Sequence, residues 1–121
     1  MATLSEEAKK LIGEIHPALI ATASKAGKPN VSAKGSFRVL DDEHVIFSDV
    51  NSPRTVANLM ENPQVSIICL DAANRRSRRI WGAAEVIDSG PLYGEAVAAM
   101  ASRNVKPKHV VKITVEQVEC G

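Results

Sequence analysis

The run Ser52-Pro53-Arg54-Thr55 carries the densest chemistry in the chain. Ser52 is a preferred N-cap residue and Pro53 suits the first helical position, so the run reads as the opening turn of a helix. Such a turn presents backbone N–H groups without intrahelical acceptors, together with the positive end of the macrodipole. A guanidinium and two hydroxyls added there make an anion site, suited to a terminal phosphate carrying up to two negative charges. The same residues also fit a capped helix whose Arg54 points into water, and the sequence leaves both readings open.

A second candidate is Arg75, Arg76, Arg78 and Arg79, followed by Trp81. Arginine beside an aromatic ring can stack on a planar ligand or on nucleic-acid bases; the bland reading is a solvated loop. A third is Ser32-Ala33-Lys34-Gly35-Ser36, small and polar within an extended stretch, where Gly35 lets backbone approach a ligand closely. A bulged edge strand would look the same. No protein-based catalytic constellation emerges. Ser, His and Asp are present without a nucleophile-elbow pattern, and His16, His44 and His109 lie too far apart for a metal signature. Glu85 reads as facing solvent or a partner. Any reaction is therefore expected to be carried by a bound cofactor.

The elements that must position these residues follow from periodicity. Thr3 and Glu6 have capping-box spacing, and Leu4, Ala8, Leu11, Ile12 and Ile15 repeat at helical intervals until Pro17. Residues 18–24 read as a strand, 25–28 as a hairpin turn, 30–40 as one extended segment, and 44–48 as a further strand. The helix opened by Ser52 carries Val56, Leu59 and Met60 as its apolar stripe and stops at Asn62-Pro63. Residues 64–70 are apolar on both faces, which predicts cover on both sides. Residues 78–87 form the next strand, where Gly82 predicts a bulge or a close backbone approach. Ser89 and Pro91 open a third helix with Leu92, Ala96, Ala99 and Met100 inward. The last strand, 110–118, puts Val111, Ile113 and Val115 on one face. The order α-β-β-β-α-β-β-α-β predicts a mainly β fold, an antiparallel barrel with peripheral helices.

Composition sets the outer bounds. The 121 residues fit one domain, 1–121, able to bury roughly two-thirds of its unfolded surface. A net charge of +1 argues against a general nucleic-acid or anionic-membrane binder. No apolar run approaches the ~20 residues a membrane helix needs. Residues 1–10 hold acids and lysines where a signal peptide needs an apolar core, so a cytoplasmic protein is expected. Cys69 and Cys120 form no paired motif, and Cys69, in an apolar strand, reads as a small buried hydrophobe. Exposed strand edges in so small a barrel predict a dimer.

Three stretches together resemble the pyridoxamine 5'-phosphate oxidase-like FMN-binding split-barrel family. They are Val45-Ile46-Phe47-Ser48-Asp49, Ser52-Pro53-Arg54-Thr55-Val56-Ala57-Asn58-Leu59, and Glu61-Asn62-Pro63-Gln64-Val65-Ser66-Ile67. They are similar to that family's third strand, phosphate-binding helix and fourth strand. Ile80-Trp81-Gly82-Ala83-Ala84-Glu85-Val86 resembles the strand bearing its Gly-x-Ala pattern. The resemblance implies a six-stranded antiparallel split barrel that forms a homodimer, with FMN in the groove between subunits. Arg54 and Thr55 would hold the FMN phosphate, with Ser48 and Ser52 beside it. Ser32, Lys34 and Ser36 would line the flavin or its ribityl chain. Ser77, Arg78 and Arg79 would approach it, often from the partner, and Trp81 matches only weakly. The implied function is an FMN-dependent oxidoreductase on an unidentified small substrate; a non-catalytic binder of flavin, F420 or haem is the alternative. Pro53 stands where the oxidases often have a second basic residue, and the C-terminal residues that grip pyridoxal in those oxidases have no counterpart, so vitamin B6 oxidation is not expected. A nucleic-acid module using residues 75–81 is the reading from another class.

Overall fold

The computed structural model describes residues 2–120. Helix α1 (Glu6–Glu14) leads into β1 (Ala18–Ala23), β2 (Pro29–Lys34), β3 (Arg38–Asp41) and β4 (His44–Asp49). Helix α2 (Pro53–Glu61), β5 (Gln64–Asp71) and β6 (Arg76–Ile87) follow, then α3 (Pro91–Met100), one 3-10 turn (Ala101–Arg103) and β7 (His109–Cys120). The strands form one antiparallel sheet in the order β2-β1-β5-β6-β7-β4-β3.

Seven strands stand where the sequence predicts six, because the extended segment 30–40 breaks at Gly35. The chain turns there to drive Phe37 into the core, fully buried. The halves go to opposite edges of the sheet: β2 pairs with β1, and β3 with β4. The three residues between β2 and β3 can reach only about 14 Å from Lys34 to Arg38. The sheet must therefore curl until its edges nearly meet, leaving an antiparallel barrel split between β2 and β3. That split is where the polar residues collect.

The barrel interior is filled by alternate residues, as the pleat requires. Val65, Ile67 and Cys69 of β5 face in with Ile20, Phe47, Ile80, Val111, Ile113 and Val115, and Ala8, Leu11 and Ile12 of α1 close one end. Burial pushes the Cys69 thiol up to about 11. At Gly82 the β6–β7 register shifts. A methyl group at that position would overlap the Thr114 carbonyl and lie 2.7 Å from Ile113 Cγ2, so the predicted close approach is present.

Several local expectations move. The cap of α1 is Ser5, whose Oγ accepts from the Ala8 N–H at 3.1 Å, rather than Thr3. Inward positions of α2 are Thr55 and Leu59, while Met60 is 66% exposed. Gly90 caps α3, and Ala99 faces solvent while Ala96 packs with Ile46 and Val110. The outward side of β5 is not covered: Leu70 is exposed, and Leu19 and Val31 of the neighbouring strands stand out beside it. The β5–β6 connection is held by Asp71, which accepts from Asn74 Nδ2 at 2.9 Å and Arg76 Nη2 at 2.7 Å. These donors, Asn74 first, hold its carboxyl below the usual range. Among the described residues no helix is long and apolar enough to cross a membrane.

Candidate functional site

The opening turn of α2 forms as the sequence predicts, with Pro53 in its first turn, but its hydrogen bonding differs. Ser52 does not cap the helix; its hydroxyl is engaged by the Lys34 ammonium. The Ser52 backbone N–H donates to Asp49 Oδ1 at 2.8 Å. Asp49, only 2% exposed, also meets His109 Nδ1 at 2.8 Å through Oδ2, and its carbonyl accepts from the Lys108 N–H at 2.8 Å. The end of β4 is thus clamped to the start of β7, fixing the loop that launches α2. Among the described residues the backbone N–H groups of Arg54 and Thr55 find no acceptor, and no acid occupies the first turn.

Those free donors face a cavity of about 330 Å³ between α2 and β2. Asn30 and Ser32 form its floor with the buried Thr55, whose Oγ1 lies 3.1 Å from Ser32 Oγ and 3.5 Å from Asn30 Nδ2. Ser52, Asn51 and Arg54 form the rim. The Thr55 hydroxyl is committed to the floor, so its contribution to an anion is its backbone N–H.

On the other side of Ser52, at the split in the barrel, lies a groove of about 610 Å³ lined by Lys34, Ser36, Ser48, Ser52, Met100 and Arg103 among others. Ser36 Oγ accepts from the Ser48 N–H at 2.9 Å and so ties the β2–β3 connection to β4. Lys34 is 9% exposed, with its ammonium 5.6 Å from the centre of the Phe47 ring. Burial lowers its pKa, against the opposing charge of Asp49. Arg103 is delivered by the 3-10 turn after α3, which Asn104 ends in the left-handed region at φ 55°. Among the described residues no carboxylate lines either the cavity or the groove.

Ser32, Lys34, Ser36, Ser48, Ser52, Arg54 and Thr55 are therefore brought together. Ser77, Arg78, Arg79 and Trp81 are not part of this cluster within one copy. Arg79 and Trp81 lie on the outer face of the sheet, in a shallow depression of about 270 Å³ with Leu19, Val31, Ser66 and Ile68. Ser77 follows the same alternation. Arg78 turns to α1, where Nη2 is 3.4 Å from Glu7 Oε2. Asn51 and Arg103 were not legible as site residues. Asn51 stands directly before Ser52 in the loop that launches α2, whereas Arg103 sits in no local motif and reaches the groove only through the placement of α3.

The fold recurs in known proteins. Residues 4–120 match the pyridoxamine 5'-phosphate oxidase family. An uncharacterized protein of Methanocaldococcus jannaschii is 36% identical over 95% of this chain and 78% of its own length. The crystal structure of a single-residue variant of HupZ from Group A Streptococcus matches with a TM-score of 0.90 at 30% identity, covering 98% of this chain and 99% of that one. A provisionally named pyridoxamine 5'-phosphate oxidase of Lactobacillus delbrueckii matches with a TM-score of 0.84 at 25% identity, covering 97% and 93% of the two chains. Proteins sharing the fold at lower identity include an FMN-binding protein of Syntrophomonas wolfei (15% identity) and an F420 reductase (19%), and HutZ, a haem storage protein of Vibrio cholerae, shares it at 25%. The chain belongs to the pyridoxamine 5'-phosphate oxidase family.

Proposed function

We propose that this protein is a homodimeric flavoprotein that binds FMN non-covalently and exchanges electrons between it and a small substrate. One observation carries the reading: the uncapped start of α2 aims two free N–H groups and Arg54 at a cavity without a carboxylate among the described residues. Its donor set fits a phosphate monoester. Backbone N–H groups, a guanidinium, the Ser32 and Ser52 hydroxyls and the Asn30 and Asn51 side chains all offer hydrogen bonds to anionic oxygens. When bound, FMN supplies reversible hydride or electron transfer. The chain's own residues do the holding. Arg54 neutralises the phosphate, Lys34 adds positive charge on the groove side of Ser52, and Arg103 orients an anionic or polar reactant at the groove mouth.

The homodimer is supported by the uncovered outer face, where Leu19 is 40%, Leu70 53% and Val31 65% exposed. Val31 lines both that face and the phosphate cavity. A second copy seated there draws Arg79 and Trp81 of one subunit toward the cradle of the other. The two free cysteines, Cys69 buried and Cys120 exposed, suit the reducing cytoplasm.

The second reading is a protein that holds a flavin, F420 or haem without turnover. It is supported by the likeness to HutZ, a haem storage protein that shares the fold at 25% identity. Purified protein is expected to show flavin absorption, and to turn over steadily with reduced nicotinamide and an electron acceptor. Flavin-loaded protein inert with every donor and acceptor supports the holding role. A colourless preparation that FMN cannot reconstitute removes the flavin reading.

A further inference from the structure

A second cavity, of about 210 Å³, lies across Arg54 from the phosphate cradle, between α2 and the β1–β2 hairpin. Lys28, Asn30, Arg54 and Asn58 line it together with Ser24. Asn30 and Arg54 belong to both cavities, so the two are adjacent compartments of one site. The Asn58 side chain is anchored by a bond from Nδ2 to Thr22 Oγ1 at 3.0 Å, which fixes the wall. Neither Lys28 nor Arg54 lies within ion-pair distance of a carboxylate among the described residues. The nearest acid along α2, Glu61, is occupied by the Lys25 backbone N–H at 3.0 Å. The second compartment therefore carries cationic side chains and, among the described residues, no acid, as the first does.

Charge placement decides what the pair of compartments suits. A terminal phosphate concentrates up to two negative charges on one group. The cradle offers that group one cationic side chain, the Arg54 guanidinium. A pyrophosphate diester instead spreads two charges over two adjacent phosphates. Arg54, standing between the compartments, and Lys28, in the farther one, match it one cation to one phosphate. The size agrees. The cradle's 330 Å³ is at the bottom of the range for small-molecule sites, roughly 300–1,000 Å³, and the added compartment carries the combined space well into that range.

We infer that the flavin site continues beyond the FMN phosphate into the Lys28 compartment and accepts a flavin dinucleotide, with Lys28 pairing with the distal phosphate. This rests on the flavin reading of the cradle. It assigns Lys28 and Asn58, side chains outside the phosphate cradle itself, the task of recognising the second phosphate.

The test is a pair of equilibrium titrations, FMN and FAD, followed by flavin fluorescence on the wild type, Lys28→Ala and Lys25→Ala. FAD is expected to bind the wild type about three- to tenfold more tightly than FMN, the modest factor an exposed lysine provides. Lys28→Ala is expected to erase that preference while leaving FMN affinity within about twofold. Lys25→Ala removes the same charge from the same hairpin without touching the cavity, and is expected to preserve the preference. Equal affinities on the wild type, or an equal loss of both flavins in Lys28→Ala, would overturn the inference and leave FMN binding standing. Failure of both flavins to bind the wild type would overturn the flavin reading with it.

Discussion

Lys34 shows how one residue sets the character of the site. Its ammonium is largely buried, engages the Ser52 hydroxyl and stands over the Phe47 ring, with the Asp49 charge nearby as partial compensation. Burial favours the neutral amine, so the folded pKa lies below the ordinary 10.5. The charged form therefore costs folding stability at neutral pH. That cost disappears as pH rises through the folded value toward 10.5, because the unfolded chain then binds the proton more tightly than the native one. A bound phosphate would reverse the balance by holding the proton on. FMN affinity is accordingly expected to fall at alkaline pH below 10.5 in the wild type and to persist over the same range in Lys34→Arg, whose guanidinium stays charged. FMN titrations at stepped pH check this; parallel profiles for the two proteins would remove Lys34 from the site. The helix-start residues were legible in the sequence because N-cap and proline preferences are local. The task of the Ser52 hydroxyl was not, because its partner Lys34 arrives from a distant strand.

At the scale of elements, β6 and β7 meet where Gly82 permits close approach. The bulge beside it lies in β7, where Glu116 is the extra residue, and it brings Val118 to the core edge while Ala84 and Val86 keep the alternation set by Ile80. Gly82→Ala would press a methyl against Thr114 backbone and the Ile113 side chain. The backbone cannot yield as a flexible side chain can, so a loss of about 2–3 kcal/mol is expected in chemical denaturation. Unchanged stability would show that this close approach imposes no constraint. The glycine was legible because a lone glycine weakens the interior of a strand and so marks a bulge or a tight backbone contact there. The break at Gly35 was not, since Asn30 to Leu40 keeps extended character throughout and only the burial of Phe37 splits it. Met60 and Ala99 fit a helical stripe by spacing alone. Thr55 takes an inward place on α2, and α3 covers only the small patch around Ile46 and Val110.

The whole molecule leaves one face unfinished. Val31, Ala21, Ser66 and Trp81 form one row across β2, β1, β5 and β6, and Ala33, Leu19, Ile68 and Arg79 form the next. This is the second apolar side of β5 whose cover the sequence predicts and a single copy does not supply. Val31→Lys places a charge on the β2 edge of that face, at its most exposed apolar side chain, while touching no core residue. It is expected to convert a dimer to a monomer by light scattering, with the far-ultraviolet circular dichroism unchanged. A wild type already monomeric at micromolar concentration would contradict the homodimer. The overall class, strands with peripheral helices, was legible from periodicity. The split of the barrel was expected only through the family resemblance, and the arrival of Arg103 at its mouth was not legible, because both depend on which strands end at the sheet edges.

Equilibrium binding of FMN to the wild type and to Arg54→Ala, with Arg75→Ala as an exposed control, bears most directly on the phosphate cradle. Saturable binding by the wild type and the control is expected, with affinity at least about tenfold weaker in Arg54→Ala, as loss of a charge-assisted contact requires. FMN held equally well without the Arg54 guanidinium, or not held by the wild type at all, would contradict the seating of an anion at the start of α2.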